Sequence, residues 1–271
     1  MRSTAPAVLG YVEQACSAHP SDSPVISQAL MVMKNWGGGS GTDFGISLPI
    51  LAANFGQLYG LLFDLIATPV STAACESLTA LIENSPQLST QTEVFGDVVQ
   101  RVVGLQPFYE SGLAEGNSDN CRDFLRIVAA LSSITVEAIL SGAAGESGVA
   151  LLETLLVGMQ HPELAVAEQA LDFWSDTLPL AARECSALHP SMQQPLHGRL
   201  ADAAMRRAVL PPHFTGWLAG EDSADLEEEE WGLFRLRLRD ALRHACKVLG
   251  ADTLEVCRGL LVSRSLPSLL A

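Results

Sequence analysis

Apolar residues recur at three- and four-residue steps through most of this chain, and this period is the strongest constraint on its fold. Short breaks rich in Pro, Gly, Ser and Asp separate the periodic segments, and alternating segments typical of strands are nearly absent. Ala and Leu carry the apolar content, while aromatic residues make up only 6% of the chain. Because Ala and Leu favour helices and have little strand preference, the sequence predicts an all-α protein.

The periodic segments predict a leading helix followed by about five helix pairs. Their approximate ranges are 5–18, 23–36, 50–65, 71–83, 92–109, 119–140, 149–159, 167–178, 191–209, 231–249 and 253–262. Repeated helix pairs at a spacing of about 40 to 50 residues are typical of an α-solenoid of the HEAT or armadillo type. A closed helical bundle remains an alternative, because periodicity alone does not separate stacked pairs from a closed core.

We therefore expect residues 1–271 to form a single HEAT-type solenoid segment, with an acidic linker over 219–230. The chain has 16 Lys and Arg against 31 Asp and Glu, which gives a net charge of −15. This charge opposes broad contact with nucleic acid or an anionic membrane and favours basic protein partners.

The stretch from Phe44 to Phe63 contains no charged residue and has the length of a membrane span. Pro49, Asn54 and Gln57 interrupt it, and polar side chains are costly in hydrocarbon. Its apolar residues recur at helical steps, so the stretch predicts a helix buried in a helical core and not a membrane span. That helix is expected to bury Ile50, Leu51, Phe55, Leu58, Leu61, Leu62 and Leu65.

Catalytic and metal-binding motifs are missing from the sequence. The six cysteines form no CxxC pair, the six histidines do not cluster beside them, and there is no HExxH or GxSxG. The run GGGSG at 37–41 is not followed by GK[ST], so it predicts a loop and not a phosphate cradle. His161 and His189 each precede a proline, which is typical of surface or helix-capping histidines. We expect a non-enzymatic protein of a reducing compartment, with no cofactor and no metal.

Two charged features remain for binding. The run EDSADLEEEE at 221–230 holds seven carboxylates, and it is interpreted either as a solvated loop or as a docking site for a basic protein surface. A basic stripe follows at Arg235, Arg239, Arg243 and Lys247. Since the two features are adjacent, we expect the stripe to neutralise the acidic run.

The order of these features resembles the importin-β (karyopherin-β) superfamily of nuclear transport receptors, in its transportin-3 and importin-13 branch. In LLVGMQHPELAVAEQALDFWSDTL, a His-Pro turn precedes a helix that ends in Phe-Trp, and LFRLRLRDALRHACKVLG follows the acidic linker. The matching positions are His161, Pro162, Phe173, Trp174, Phe234, Arg235, Arg237, Asp240, Leu249 and Gly250. VISQALMVMKNW, GLLFDLI and TPVSTAACESLTALIE are also similar in order and spacing.

The resemblance implies a middle section of a longer HEAT-repeat import receptor found in the cytoplasm and nucleus. It implies three partners: basic or arginine- and serine-rich protein cargo, Ran-GTP, and Phe-Gly nucleoporins. It places the acidic residues Asp225, Glu227, Glu228, Glu229 and Glu230 in a region that contacts Ran in the family. A HEAT scaffold subunit of a phosphatase, kinase or vesicle-coat assembly is the alternative function.

Overall fold

The computed structural model describes residues 4–37, 46–184, 189, 194–208 and 226–265, and no strand occurs in these ranges. The α-helices are α1 Thr4–Ala18, α2 Ser23–Gly37, α3 Leu48–Asn54, α4 Gly56–Asp64, α5 Ser71–Glu83, α6 Thr92–Gly104, α7 Gln106–Glu115, α8 Ser118–Ile134, α9 Val136–Leu140, α10 Gly145–Gly158, α11 Leu164–Asp172, α12 Leu178–Glu184, α13 Gln194–Arg207, α14 Leu226–Leu249 and α15 Thr253–Ser265. A π-helical segment, Phe173–Thr177, joins α11 to α12. The all-α prediction is confirmed.

The chain divides into two compact units. The first comprises Met1–Thr135 with Ala144–Leu151, and the second comprises Val136–Ala143 with Leu152–Ala271. The expectation of a single continuous solenoid stays a prediction.

Helix α5 organises the core of the first unit. It packs against both α2 and α8, and its apolar residues Ala74, Leu78, Leu81 and Ile82 have no exposed surface. A polar contact also links α5 to α2, because the Ser77 hydroxyl donates to the carbonyl of Leu30 at 2.7 Å. A helix covered by two neighbours buries more than one stripe, which explains why Ser77 is buried as well.

The single helix predicted over 50–65 is wrong. The chain forms α3 and α4 here, bent by 118° at Phe55, whose φ of −138° and ψ of 55° lie outside the helical region. Ile50, predicted to be buried, is 49% exposed as a result. Among the described residues, no single helix is long and apolar enough to cross a bilayer, and only this bent pair together meets that length and composition.

Two other long predicted helices are also interrupted. The segment 92–109 breaks at Leu105, after which α7 begins with a proline in its first turn at Pro107. Proline suits a first turn but cannot donate within a helix interior, so it ends the preceding helix. The segment 119–140 breaks at Thr135, whose hydroxyl donates back to the Leu131 carbonyl at 2.7 Å.

In the second unit, α14 packs against α13, α11 and the π-helical segment. The core is built from large aromatic side chains, with Trp174, Trp231, Phe173 and Phe234 all fully or almost fully buried. The predicted stripe on α11 and beyond, which ends in Trp174 and Leu178, is therefore confirmed as core.

Candidate docking site

The individual positions that carry the family resemblance, from His161 to Gly250, lie in the second unit, and several of them meet there. His161 is buried in the turn before α11, where its Nδ1 accepts from the backbone N–H of Glu163 at 3.2 Å. Burial lowers the pKa of His161, which favours the neutral ring that this hydrogen bond requires. The surface position is wrong, and the hydrogen bond to Glu163 lies within the turn before α11, so a helix-capping role for His161 stays a prediction.

His189, the other histidine that precedes a proline, is exposed. Its backbone N–H donates to the carbonyl of Leu140 at 2.9 Å. Pro190 lies outside the described residues, so the expected helix-starting turn stays a prediction.

Arg207, at the end of α13, connects the His-Pro turn to the aromatic core. Its Nη2 donates to the carbonyl of Pro162 at 2.8 Å, and its guanidinium lies 5.3 Å from the Trp231 ring centroid and 5.5 Å from that of Phe234. Burial lowers the pKa of Arg207. The planar guanidinium of Arg207 therefore makes a hydrogen bond and stacks on two aromatic rings at the same time, which arginine does well because it is flat and has several N–H donors. Sequence reasoning missed Arg207, because no local pattern shows which aromatic rings it covers.

A second link joins α11 to α14 through the ion pair between Asp172 and Arg237. Arg237 is one of the resemblance residues, and Asp172 directly precedes Phe173. Gly250 follows α14 with a φ of 57°, the left-handed conformation that glycine adopts most easily at a helix end. The structure therefore gives Arg237 and Gly250 positions with a clear local role.

Carboxylates crowd the surface around this ion pair. Glu168, Asp172 and Asp176 follow one another at four-residue steps, and Glu230 on α14 acts on Glu168 electrostatically. Burial raises the pKa of Glu168, and repulsion from Asp172 and Glu230 adds to it against the opposing effect of Arg237. We call Glu168, Asp172, Asp176 and Glu230 the acidic cluster.

The pKa of Asp172 in the acidic cluster is also raised. Burial raises its pKa, Arg237 opposes the rise, and repulsion from Asp176 adds to it. Carboxylates that repel one another bind a cation favourably, because a positive partner relieves that repulsion. The four-residue spacing of these carboxylates is visible in the sequence. Their proximity to Glu230 depends on the packing of α11 against α14, which the sequence does not show.

The acidic run is placed only in part. Residues 219–225, including Asp225, lie outside the described residues, as do 38–41 of the GGGSG run. Glu227, Glu228, Glu229 and Glu230 belong to the first turns of α14, so the linker predicted to extend to 230 is wrong over this stretch. Carboxylates stabilise the start of a helix through the helix dipole, which accounts for the helix beginning this early.

Two arginines of the basic stripe contact a carboxylate on their own helix. Arg239 and Arg243 approach Asp240 on their own helix at 3.2 and 3.4 Å. Asp240 is thus a described counter-ion of both arginines. The side chains of 221–229 lie outside the described part of the chain, so the expectation that the stripe neutralises the acidic run stays a prediction. Arg235 and Lys247 are exposed.

No metal centre or disulfide is found within the described part of the chain. No group of three or more His, Cys, Asp and Glu side chains there could hold a metal ion, and no disulfide joins Cys16, Cys75, Cys121, Cys246 or Cys257. A comparison of the chain with protein-family models finds no match.

Proposed function

We propose that this chain is a HEAT-type segment of a nuclear import receptor, which carries protein cargo and releases it when Ran-GTP binds. The acidic cluster carries the proposal, because it offers a basic protein surface a fixed set of carboxylates on the unit where the resemblance residues meet. The protein acts as a scaffold and not as an enzyme.

The packing of alternate helices in the first unit supports the HEAT-type arrangement. In a solenoid, the second helix of each pair packs against the second helix of the next pair. Helices α2, α5 and α8 contact one another in this order, while α1 packs on α2 and α7 on α8. This order of contacts supports stacked pairs, whereas a closed bundle requires the first and last helices to meet as well.

Charge supports the class of partner. The net charge of −15 attracts basic surfaces over a distance of about one Debye length, roughly 10 Å at 0.1 M salt. Asp172 of the acidic cluster already forms an ion pair with Arg237. An arginine or lysine of the partner would bind the other three carboxylates, Glu168, Asp176 and Glu230. Phe-Gly repeats would bind apolar surfaces elsewhere on the chain.

The test measures association rates of the chain with Ran-GTP and with an arginine- and serine-rich peptide across a range of salt concentrations. The variant replaces Glu168, Asp176 and Glu227 to Glu230 with Gln. We expect slower association and a flatter salt dependence, since exposed charges steer encounter. The free energy of unfolding should fall by at most about 1 kcal/mol per site at the start of α14, because these carboxylates also stabilise the helix through its dipole.

A matched control removes six exposed carboxylates of the first unit, replacing Asp64, Glu83, Glu93, Glu110, Glu115 and Glu146 with Gln. Equal slowing in both variants would show that net charge alone acts and that the acidic cluster is not the site. Binding to the basic peptide but not to Ran-GTP would overturn the import function in favour of another scaffold.

A further inference from the structure

The second unit contains a cleft between α12 and α14 that the proposed function does not use. Its volume is about 460 Å³, which lies in the range of small-ligand sites. The polar side chains that line it include Ser175, Arg183, Arg243, His244 and Lys247. Ser175 belongs to the π-helical segment, and such segments occur frequently at functional sites.

The cleft is positively charged although the chain is strongly acidic. Among the described residues, three cations line it, Arg183, Arg243 and Lys247, against one carboxylate, that of Asp240. Asp240 already contacts Arg243 at 3.4 Å and Arg239 at 3.2 Å. Neither Arg183 nor Lys247 has an ion-pair partner among the described residues. The lining therefore has a surplus of positive charge that an anion would neutralise.

His244 lines the cleft close to these positive charges. Its Nε2 is buried and has no hydrogen-bond partner in the described part of the chain. Burial, together with electrostatic repulsion from His197, Lys247 and Arg183, lowers the pKa of His244 to about 4. These groups face the ring from α13, α14 and α12, with the His197 ring 5.3 Å away and Arg243 and Asp240 also on α14. At neutral pH the ring is uncharged and can donate or accept a hydrogen bond.

We propose that this cleft binds a small phosphomonoester, with the phosphate held by Arg183, Arg243 and Lys247 and the organic group against Pro179, Ala182 and Val248. A phosphomonoester is close to a dianion at neutral pH, and the lining's net charge of +2, three cations less one carboxylate, matches it. Arginine presents paired N–H donors that fit phosphate oxygens, and lysine adds a point charge. Three apolar residues give the ligand's carbon skeleton a surface to cover.

Isothermal titration calorimetry with phenyl phosphate, inorganic phosphate and benzenesulfonate tests this proposal. Phenyl phosphate should bind most tightly, because it combines the dianion with an apolar group. Inorganic phosphate should bind about tenfold more weakly if one buried apolar face is lost, and benzenesulfonate should bind more weakly because it carries a single charge. If inorganic phosphate bound as tightly as phenyl phosphate, the apolar residues would contribute nothing to binding. That result would contradict the assignment of the cleft to a phosphomonoester.

A charge variant locates the binding. Arg183→Gln with Lys247→Gln should weaken phenyl phosphate binding at least tenfold, and the His244 ring proton resonances should shift on binding to the unsubstituted chain only. The matched control, Arg235→Gln with Arg258→Gln, removes two exposed arginines outside the cleft. The proposal would be overturned if the cleft variant bound phenyl phosphate with unchanged affinity, or if the control variant lost as much affinity as the cleft variant. It would also be overturned if the unsubstituted chain did not bind phenyl phosphate at millimolar concentration. None of these outcomes depends on whether the chain binds Ran-GTP.

Discussion

Trp174 is the residue at which the packing of the second unit can be tested most directly. Its side chain has no exposed surface, and its indole N–H has no acceptor among the described residues. Phe173 packs against it edge-on, with ring centroids 5.3 Å apart. Trp174→Ala removes the ring and the N–H together, whereas Trp174→Phe removes the N–H and keeps an aromatic ring. The two variants therefore separate the apolar contribution from the polar one.

The magnitudes differ clearly. Trp174→Ala should lower the free energy of unfolding by about 3 to 5 kcal/mol, as large aromatic deletions in packed cores do. In Trp174→Phe, a residual cavity of roughly 40 Å³ costs about 1 kcal/mol, and lost transfer free energy costs about 1 kcal/mol more. Removing a buried donor without an acceptor returns about 1 to 3 kcal/mol. The terms nearly cancel, so Trp174→Phe should lie within about 1 kcal/mol of the unsubstituted chain.

Urea unfolding followed by far-ultraviolet circular dichroism measures both values. The helical signal reports unfolding without relying on tryptophan fluorescence, which the substitutions themselves change. A loss for Trp174→Phe as large as that for Trp174→Ala would refute the reasoning, since it would mean that the indole N–H makes a hydrogen bond. An unchanged unfolding curve for Trp174→Ala would refute the assignment of Trp174 to the core.

Two further predictions concern the same unit. The pKa of His244 is about 4 in the folded chain, below its ordinary value of 6.5. As the pH drops from 6.5 towards 4, the unfolded state therefore binds a proton more readily than the folded state, and stability falls. The difference between the unsubstituted chain and His244→Gln should change over that window by about 2 kcal/mol after allowance for solvent screening, and parallel pH profiles would contradict it. Arg207→Lys keeps the charge but loses the planar contact with Trp231 and Phe234, so thermal unfolding should report a loss of about 1 to 2 kcal/mol. No loss would show that a point charge suffices there.

Helices with clear stop signals could be predicted from the sequence almost to the residue. Asn84 and Pro86 follow α5, and a run of glycines follows α2, so both helices end where the sequence indicates. The interrupted helices were not predicted, because the apolar period continues across each bend. Phe55 itself is an ordinary helix residue by composition, and it leaves the helical region without any strong breaker except the neighbouring Gly56. Such a bend depends on tertiary packing, which a local pattern does not contain.

The candidate site was less predictable than the fold. The acidic run was found because its charges are contiguous in the sequence. Glu168 and Asp176 are separated by helical turns, and they could be recognised as part of a cluster only once α14 placed Glu230 near them. The basic stripe was found from its spacing, but its contact with Asp240 was not predicted, because adjacency in sequence drew attention to the acidic run. Spacing along one helix is visible in a sequence, while contacts between helices are not.

The polar contacts of the second unit bear on how a partner would bind to the acidic cluster. Arg207 ties the end of α13 to the turn before α11, and Arg237 ties α14 to the end of α11. Gln160 adds a third link, because its Nε2 donates to the carbonyl of Ala203 on α13 at 3.0 Å. These contacts surround a core of buried aromatic rings, so the helices that carry Glu168, Asp172 and Glu230 are held in place before any partner arrives. Binding to fixed carboxylates loses less conformational entropy than binding to a flexible acidic segment. A cluster on packed helices is therefore better suited to tight recognition of a basic surface than an acidic loop of the same charge.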